Sequence, residues 1–326
     1  MKVQVKLLSV LIAGAFSSAF VQADDNSVSP RIIGGSEVAH STVPYQVALQ
    51  TPSGYQFCGG TIIAQDWVLT AAHCVQGKSA SGVQIRIGAS DLRTSQGETH
   101  NVSQVHVHER YNSSRLTSDI ALLKLSTPVS SKYQIAKLPT PQLKAQLASV
   151  GKTLKGSGWG RFSTSSNAGS PVLKAADLPI ISNAECQRVM GTGPVSDDFI
   201  CGYKPRNSVC NGDSGGPFAT KSGNDYYVFG AASWVTANCT TGSAYTNVTK
   251  FVPWITQKSG VTPDGGTTTP PADACSGVAS WELYKQYSQG DRTIANGTLF
   301  EANTNHWGIN PFSDYWGYWD MIQTCN

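Results

Sequence analysis

Cys210-Asn-Gly-Asp-Ser-Gly-Gly-Pro217 is a short glycine-rich loop with a hydroxyl near its centre and a cysteine at its edge. A serine flanked by glycines stands clear of its neighbours, and the backbone N–H groups of Gly212 and Ser214 can converge on one point as an oxyanion hole. A side chain at 212 would crowd a carbonyl approaching that point. Serine alone is a poor nucleophile, so this reading requires a histidine base and a carboxylate to orient it, both supplied from elsewhere in the chain. Two settings answer the requirement. His73 lies in Leu69-Thr-Ala-Ala-His-Cys74, after an apolar run, and Asp119 lies in Ser118-Asp-Ile-Ala-Leu-Leu-Lys-Leu125, at the start of another.

The three motifs, in the order His, Asp, Ser, resemble those of the trypsin-like serine endopeptidases of the chymotrypsin fold, over about residues 32 to 259. The resemblance implies that Ser214 attacks a peptide carbonyl and that His73 takes and returns the proton. It implies that Asp119 fixes the imidazole tautomer and that the Gly212 and Ser214 N–H groups hold the oxyanion. From Ile32 onward, short alternating or apolar runs are separated by Gly, Ser, Pro and Asn clusters, the pattern of an all-β protein. Strands are expected near Gln46 to Gln50, Phe57 to Ile63, Trp67 to Leu69, Val83 to Ile87, His100 to His106 and Ile120 to Leu125. A second set is expected near Thr153 to Trp159, Val172 to Ile180, Phe199 to Gly202, Gly216 to Ala219, Tyr226 to Trp234 and Ser243 to Val248. These suit two six-stranded antiparallel barrels, with His73 and Asp119 on the first, Ser214 on the second and the cleft between them. Helix is scarce. Thr249 to Lys258, with Phe251, Trp254 and Ile255 at helical spacing, is predicted to be a helix closing this domain.

The chain has 326 residues, a net charge of only +3 and eight cysteines, room for one large domain and a smaller one, with no charge signature of nucleic-acid binding. Residues 1–23 carry lysines at 2 and 6, an apolar run from Leu7 to Val21 and a small-residue cleavage site, as a secretory signal does. The run is short, broken by Gly14 and Ser17-Ser18 and followed by Asp24-Asp25, which argues against a membrane anchor. The expectation is an exported, extracellular protein with no membrane association after signal removal. An even cysteine count in an exported chain points to disulfides, and sequence alone leaves roughly a hundred pairings open. Zinc is the competing use, but no Cys-x-x-Cys pair occurs. The resemblance implies Cys58 with Cys74, Cys186 with Cys201 and Cys210 with Cys239, leaving Cys275 for Cys325.

Residues 24–31 are short and polar, end in Pro30-Arg31 and precede Ile32-Ile-Gly-Gly35. The resemblance implies an activation peptide: cleavage after Arg31 frees Ile32, whose ammonium folds inward to pair with Asp213. It also places the primary pocket. Where trypsins have an aspartate six residues before the nucleophile, this chain has Ser208. Val209 forms a neighbouring wall, while Val235 and Ser243 stand where wide pockets have glycine. Such a pocket is similar to those of elastases and would take Ala or Val at P1, the residue before the scissile bond; chymotrypsin-like preference is the alternative. An arginine there would lose water with no counter-charge. A separate trypsin-like protease is therefore expected to cut after Arg31. The backbone of Ser233 to Val235 can pair with an extended peptide, and Trp234 either floors a neighbouring subsite or packs in the core. No metal or other cofactor is expected. His100, His106 and His108 read as strand polarity rather than ligands, and Ala89 and Thr99 stand where calcium-binding relatives place glutamates, although Asp91 and Glu98 remain.

Residues 260–274 are Gly, Thr and Pro-rich with nothing to bury, as in a solvated linker. Beyond it, residues 275–326 form a small aromatic-rich unit with a staple of its own, expected to be a β module. Trp281-Glu-Leu-Tyr284, Gly290-Asp291, Gly297-Thr-Leu-Phe300-Glu-Ala302, Trp307, Pro311 and Trp316 resemble the carbohydrate-binding modules of bacterial chitinases, with an insertion between Ala302 and Trp307. The resemblance implies a chitin-like polysaccharide partner. Flat aromatic faces suit sugar rings, and Trp307 with Tyr315 or Trp316 is the expected platform, with Trp281 and Tyr284 in the core. Two functions follow: a secreted serine endopeptidase acting on proteins and peptides, or a polysaccharide-binding, adhesive protein using the protease-like part as a scaffold. An intact His73, Asp119, Ser214 and Gly212 favour the first.

Overall fold

A computed structural model of the chain describes residues 1, 32–163, 166–191, 195–263, 275–302, 304–311 and 318–325. The signal and activation segments, most of the linker, and Tyr315 and Trp316 lie outside the described residues. In the first barrel Gln46–Gln50 pairs with Gln56–Ala64 and Gln84–Ile87, and the circle closes through Trp67–Thr70, Ala121–Leu125 and Glu98–Val107. Inward positions in these strands are Val, Ile and Leu, whose branched side chains fit a pleated, buried face. Val47, Leu49, Ile62, Leu69, Ile85 and Leu122 are all fully buried.

The second barrel runs Thr153–Gly158, Lys174–Ile181, Phe199–Gly202, Ser243–Asn247, Asp225–Val235 and Pro217–Ser222, and closes where Pro217–Ser222 pairs back on Thr153–Gly158. Its interior includes Phe218 stacked on Tyr245 with ring centroids 4.1 Å apart, a contact worth about 1 kcal/mol beyond the area it buries. A buried hydrogen bond ties the barrels together, from Ser157 Oγ to Gln46 Oε1 at 2.6 Å. The closing helix is Val248–Ser259, and its Phe251, Val252 and Ile255 pack into the first-barrel core, so the end of the second half folds back over the first.

Three helices were not expected: Ala72–Val75, Pro141–Leu147 and Asn183–Met190. Pro141–Leu147 begins with Pro at its first turn and has Thr140 Oγ1 accepting the Leu143 N–H. Asn183–Met190 is capped by Ser182, which accepts the Glu185 N–H, and ends at Gly191 in the left-handed conformation. The C-terminal unit is a three-stranded sheet of Arg292–Ala295, Thr298–Ala302 and Trp319–Thr324, with Gln286–Tyr287 paired to His306–Trp307. Asn296-Gly297, both at positive φ, turn its first hairpin. Tyr287, Phe300, Ala302 and Trp319 form the small core, and Cys275–Cys325 staples the ends. Trp281 packs against this core and donates Nε1–H to Ile309 O at 3.0 Å. Tyr284 departs from expectation. It is 82% exposed, since residue 284 sits at positive φ in the turn beside Gly308 rather than on an inward strand position. The other disulfides are Cys58–Cys74, Cys186–Cys201 and Cys210–Cys239.

Candidate active site

Asp119 opens the strand Ala121–Leu125 from just outside it, and His73 lies in the one-turn helix Ala72–Val75 that follows Trp67–Thr70. The fully buried Asp119 carboxylate accepts the His73 backbone N–H on Oδ1 at 2.9 Å and His73 Nδ1 on Oδ2 at 2.8 Å. An ionised carboxylate only accepts, so Nδ1 carries the proton and Nε2 is the ring nitrogen left for the cleft. The second barrel completes the grip: Ser233 Oγ donates to Asp119 Oδ2 at 2.6 Å, and Thr246 Oγ1 donates to Asp119 O at 2.8 Å. Ser118, at φ 51, holds a left-handed conformation costing about 1–2 kcal/mol, and its N–H is anchored on Asp198 Oδ2 at 3.1 Å.

Ser214 sits in a loop whose backbone is pinned throughout. Asp213 N–H donates to Cys210 O, Gly215 N–H to Ala232 O and Gly216 N–H to Asp213 O, while Ser214 O accepts the Gly59 N–H from the first barrel. Gly215, at φ +76, must be glycine because a Cβ there would lie 2.6 Å from Gly59 O. Gly212 stands at φ +96, and a Cβ would approach Gly160 Cα to 3.0 Å. Its carbonyl is held from behind: Gln56 Nε2 donates to Gly212 O at 2.8 Å and to Cys58 O at 2.9 Å. His73, Gly212 and Ser214 line one cleft of about 620 Å³ between the barrels, together with Ser233 and Trp234.

Residues 32–255 match the Trypsin family. The chain belongs to the trypsin family. It is 38% identical to Brachyurin of Leptuca pugilator over 239 residues, covering 71% of this chain and 100% of that protein. It is 34% identical to Trypsin-3 of Salmo salar over 248 residues, covering 74% of this chain and 97% of that one. The protein is accordingly a serine endopeptidase.

Within this trypsin-family frame no carboxylate lines the cleft among the described residues. Val209 and Val235 line the cleft. Ser208 and Ser243 lie behind, fully buried, with their hydroxyls 2.8 Å apart; Ser243 Oγ accepts the Val209 N–H at 3.2 Å. These two hydroxyls are thus consumed by each other and the backbone, and of the four residues only the valines line the cleft. Trp234 lines the cleft and also meets Phe199 edge-on at 6.2 Å.

Asp213 is fully buried and accepts N–H groups from Gly160 at 2.7 Å and Cys210 at 2.9 Å. No cation pairs with it among the described residues, and burial pushes its carboxyl up to about 7. Ile32 is fully buried in the second-barrel core, and Arg31 lies outside the described residues. The acids that remain in the loop from 88 to 100 bind protein cations: Asp91 holds Arg93 and Glu98 holds Lys132. Of the three neighbouring histidines, His100 contacts Glu98, His106 contacts Gln104, and His108 packs against Phe251 and Trp254. In the C-terminal unit Trp307 is 67% exposed. Sequence reasoning missed the roles of Gln56, Thr246 and the Ser233 hydroxyl. Nothing local marks them.

Proposed function

We propose that the protein is a secreted endopeptidase that cleaves after small aliphatic residues, made as a precursor activated by cleavage after Arg31. In this reading Ser214 Oγ attacks the scissile carbonyl while His73 Nε2 takes its proton. Asp119 holds the imidazole and stabilises the imidazolium that forms. The negative charge developing on the carbonyl oxygen is met by the N–H groups of Gly212 and Ser214. The leaving amine takes the proton back from His73, and water repeats the sequence on the acyl-enzyme. The acyl half of the substrate pairs with the backbone of Ser233 to Val235. The observation that carries the preference is the pocket: two valine side chains at its surface, a hydroxyl pair behind them and no carboxylate. A methyl or isopropyl group loses little there, whereas a guanidinium would be desolvated without a partner.

Activation follows from Ile32 and Asp213. Cutting after Arg31 would create an ammonium on a residue whose side chain already belongs to the second-barrel core, and a buried carboxylate without a cation is the group able to receive it. Since the pocket disfavours arginine, an outside trypsin-like protease makes the cut. The exposed Trp307, next to exposed Tyr284 across the Gly308 turn, favours an accessory role for the C-terminal unit in holding a chitin-like polysaccharide. Its linker would then raise the local concentration of substrate without altering the chemical step.

The test is to incubate purified precursor alone and with catalytic trypsin. Maturation at Arg31 only with trypsin, followed by peptide hydrolysis absent from Ser214→Ala, supports the reading. Self-maturation that depends on Ser214 would refute the outside activator, and no serine-dependent hydrolysis after the cut would refute the assigned nucleophile.

A further inference from the structure

The cleft has two ends of different chemistry. Val209, Val235 and Trp234 line one end; Phe57, the Cys58–Cys74 bridge and Lys78 line the other. Among the described residues that line it, Lys78 is the one permanent charge, His73 is the only other titratable group, and no carboxylate faces either. The backbone at Lys78 is held by its surroundings. Its N–H donates to Val75 O at 3.0 Å, and the Cys58–Cys74 bridge ties the helix Ala72–Val75 to the strand after Phe57. The ammonium lies 4.8 Å over the Phe57 ring and enters no ion pair among the described residues. Cation and ring together leave a positive charge facing the cleft with its counter-charge missing.

Which half of a substrate meets this charge follows from the direction of the bound chain, and so rests on the reading of Ser214 and the pocket given above. The acyl half occupies Ser233 to Val235 and the valine-walled pocket. Past Ser214 and His73, the leaving half must run toward Phe57 and Lys78. We infer that Lys78 is a specificity-determining residue of the leaving-group side, favouring an aspartate or glutamate within two residues after the scissile bond. Lys78 is exposed, so the preference is modest and sensitive to salt.

Acyl transfer measures this side of the cleft directly. The activated full chain is given an Ala ester, and short peptide amides beginning with Glu-Ala, Ala-Glu, Ala-Ala or Lys-Ala compete with water for the acyl-enzyme. Ser214 Oγ first displaces the alcohol of the ester; the peptide amine then attacks the acyl-enzyme carbonyl, its proton passes through His73 to Ser214 Oγ, and a new peptide bond replaces the acyl–serine bond. The expected result is capture of a Glu-containing peptide about 3- to 5-fold over Lys-Ala at low salt. That ratio should fall toward one in 0.5 M salt with roughly a 4 Å Debye length, vanish in Lys78→Gln and invert in Lys78→Glu. Equal capture of acidic and basic peptides by the native chain, or a preference that survives Lys78→Gln, overturns the assignment. Ester hydrolysis that does not depend on Ser214 overturns both this inference and the reading beneath it.

Discussion

Ser233 donates its hydroxyl to the Asp119 carboxylate, and in the proposed reading its backbone also pairs with the substrate, so one residue would couple peptide binding to orientation of the base. A hydrogen bond to a carboxylate is worth about 1.5–3 kcal/mol. Ser233→Ala is therefore expected to lower kcat about tenfold or more with little change in KM, measured on one peptide in both proteins. Gln56 acts on the opposite side of the reaction by restraining Gly212. Gln56→Met, which keeps the side-chain length but removes the donor, should also lower kcat by roughly tenfold while KM holds, because the oxyanion forms only in the transition state. An equal rise in KM would mean that Gln56 serves binding instead. His73, Asp119 and Ser214 were legible because the chemistry demands those residue types in recognisable local strings. Gln56 and the Ser233 hydroxyl were not, since their partners lie 156 and 114 residues away and a lone glutamine or serine is common in any strand.

At the scale of elements, the twelve barrel strands could be read from alternation and punctuation because each buries one face or both. The missed helices show the limit of that method. Pro141–Leu147 and Asn183–Met190 are 7 and 8 residues long, too short for a helical period to stand out, yet their start signals were present in Thr140-Pro141 and in Ser182-x-x-Glu185. Ser182→Ala should cost about 1 kcal/mol, visible as a lower denaturant midpoint with an unchanged slope. Tyr284 failed for a related reason: aromatic composition announces a core but does not say which ring a turn will expose. The strand Asp225–Val235 ends in the cleft, and in the proposed reading Val235 is the limiting side chain of the primary pocket. Val235→Gly should raise kcat/KM for Phe relative to Ala at P1 by roughly tenfold, within the range that one or two methylenes command in an apolar pocket.

Across the whole molecule, the two halves meet at the cleft, and the proposed activation acts through the buried Asp213. Burial raises its carboxyl from an ordinary 3.8 to about 7, so between those values the folded precursor holds a proton that the unfolded chain has lost. The stability of the precursor should consequently fall as pH rises from 4 through about 7, by on the order of a few kcal/mol, and be level again above that window. Asp213→Asn should remove this dependence from the precursor. After cleavage at Arg31 the new ammonium favours the ionised carboxylate and should flatten or reverse the slope, which urea titrations at pH 5 and 8 would reveal. A precursor with no such loss would place a cation beside Asp213 before activation. Among the described residues no helix is long and apolar enough to cross a membrane. In the C-terminal unit, Trp307→Ala in the full chain is expected to lower retention on chitin, read as the bound fraction in a pull-down; unchanged retention would assign that exposed ring another use. The measurement that bears most directly on the central claim is kcat/KM of the Arg31-cleaved chain on matched peptides carrying Ala, Val, Phe, Leu or Arg at P1, with Ser214→Ala as the blank. Ala and Val are expected well above Phe and Leu, with Arg lowest. Preference for Phe or Leu would mean that the valines do not close the pocket, and efficient cleavage after Arg would contradict the uncharged site.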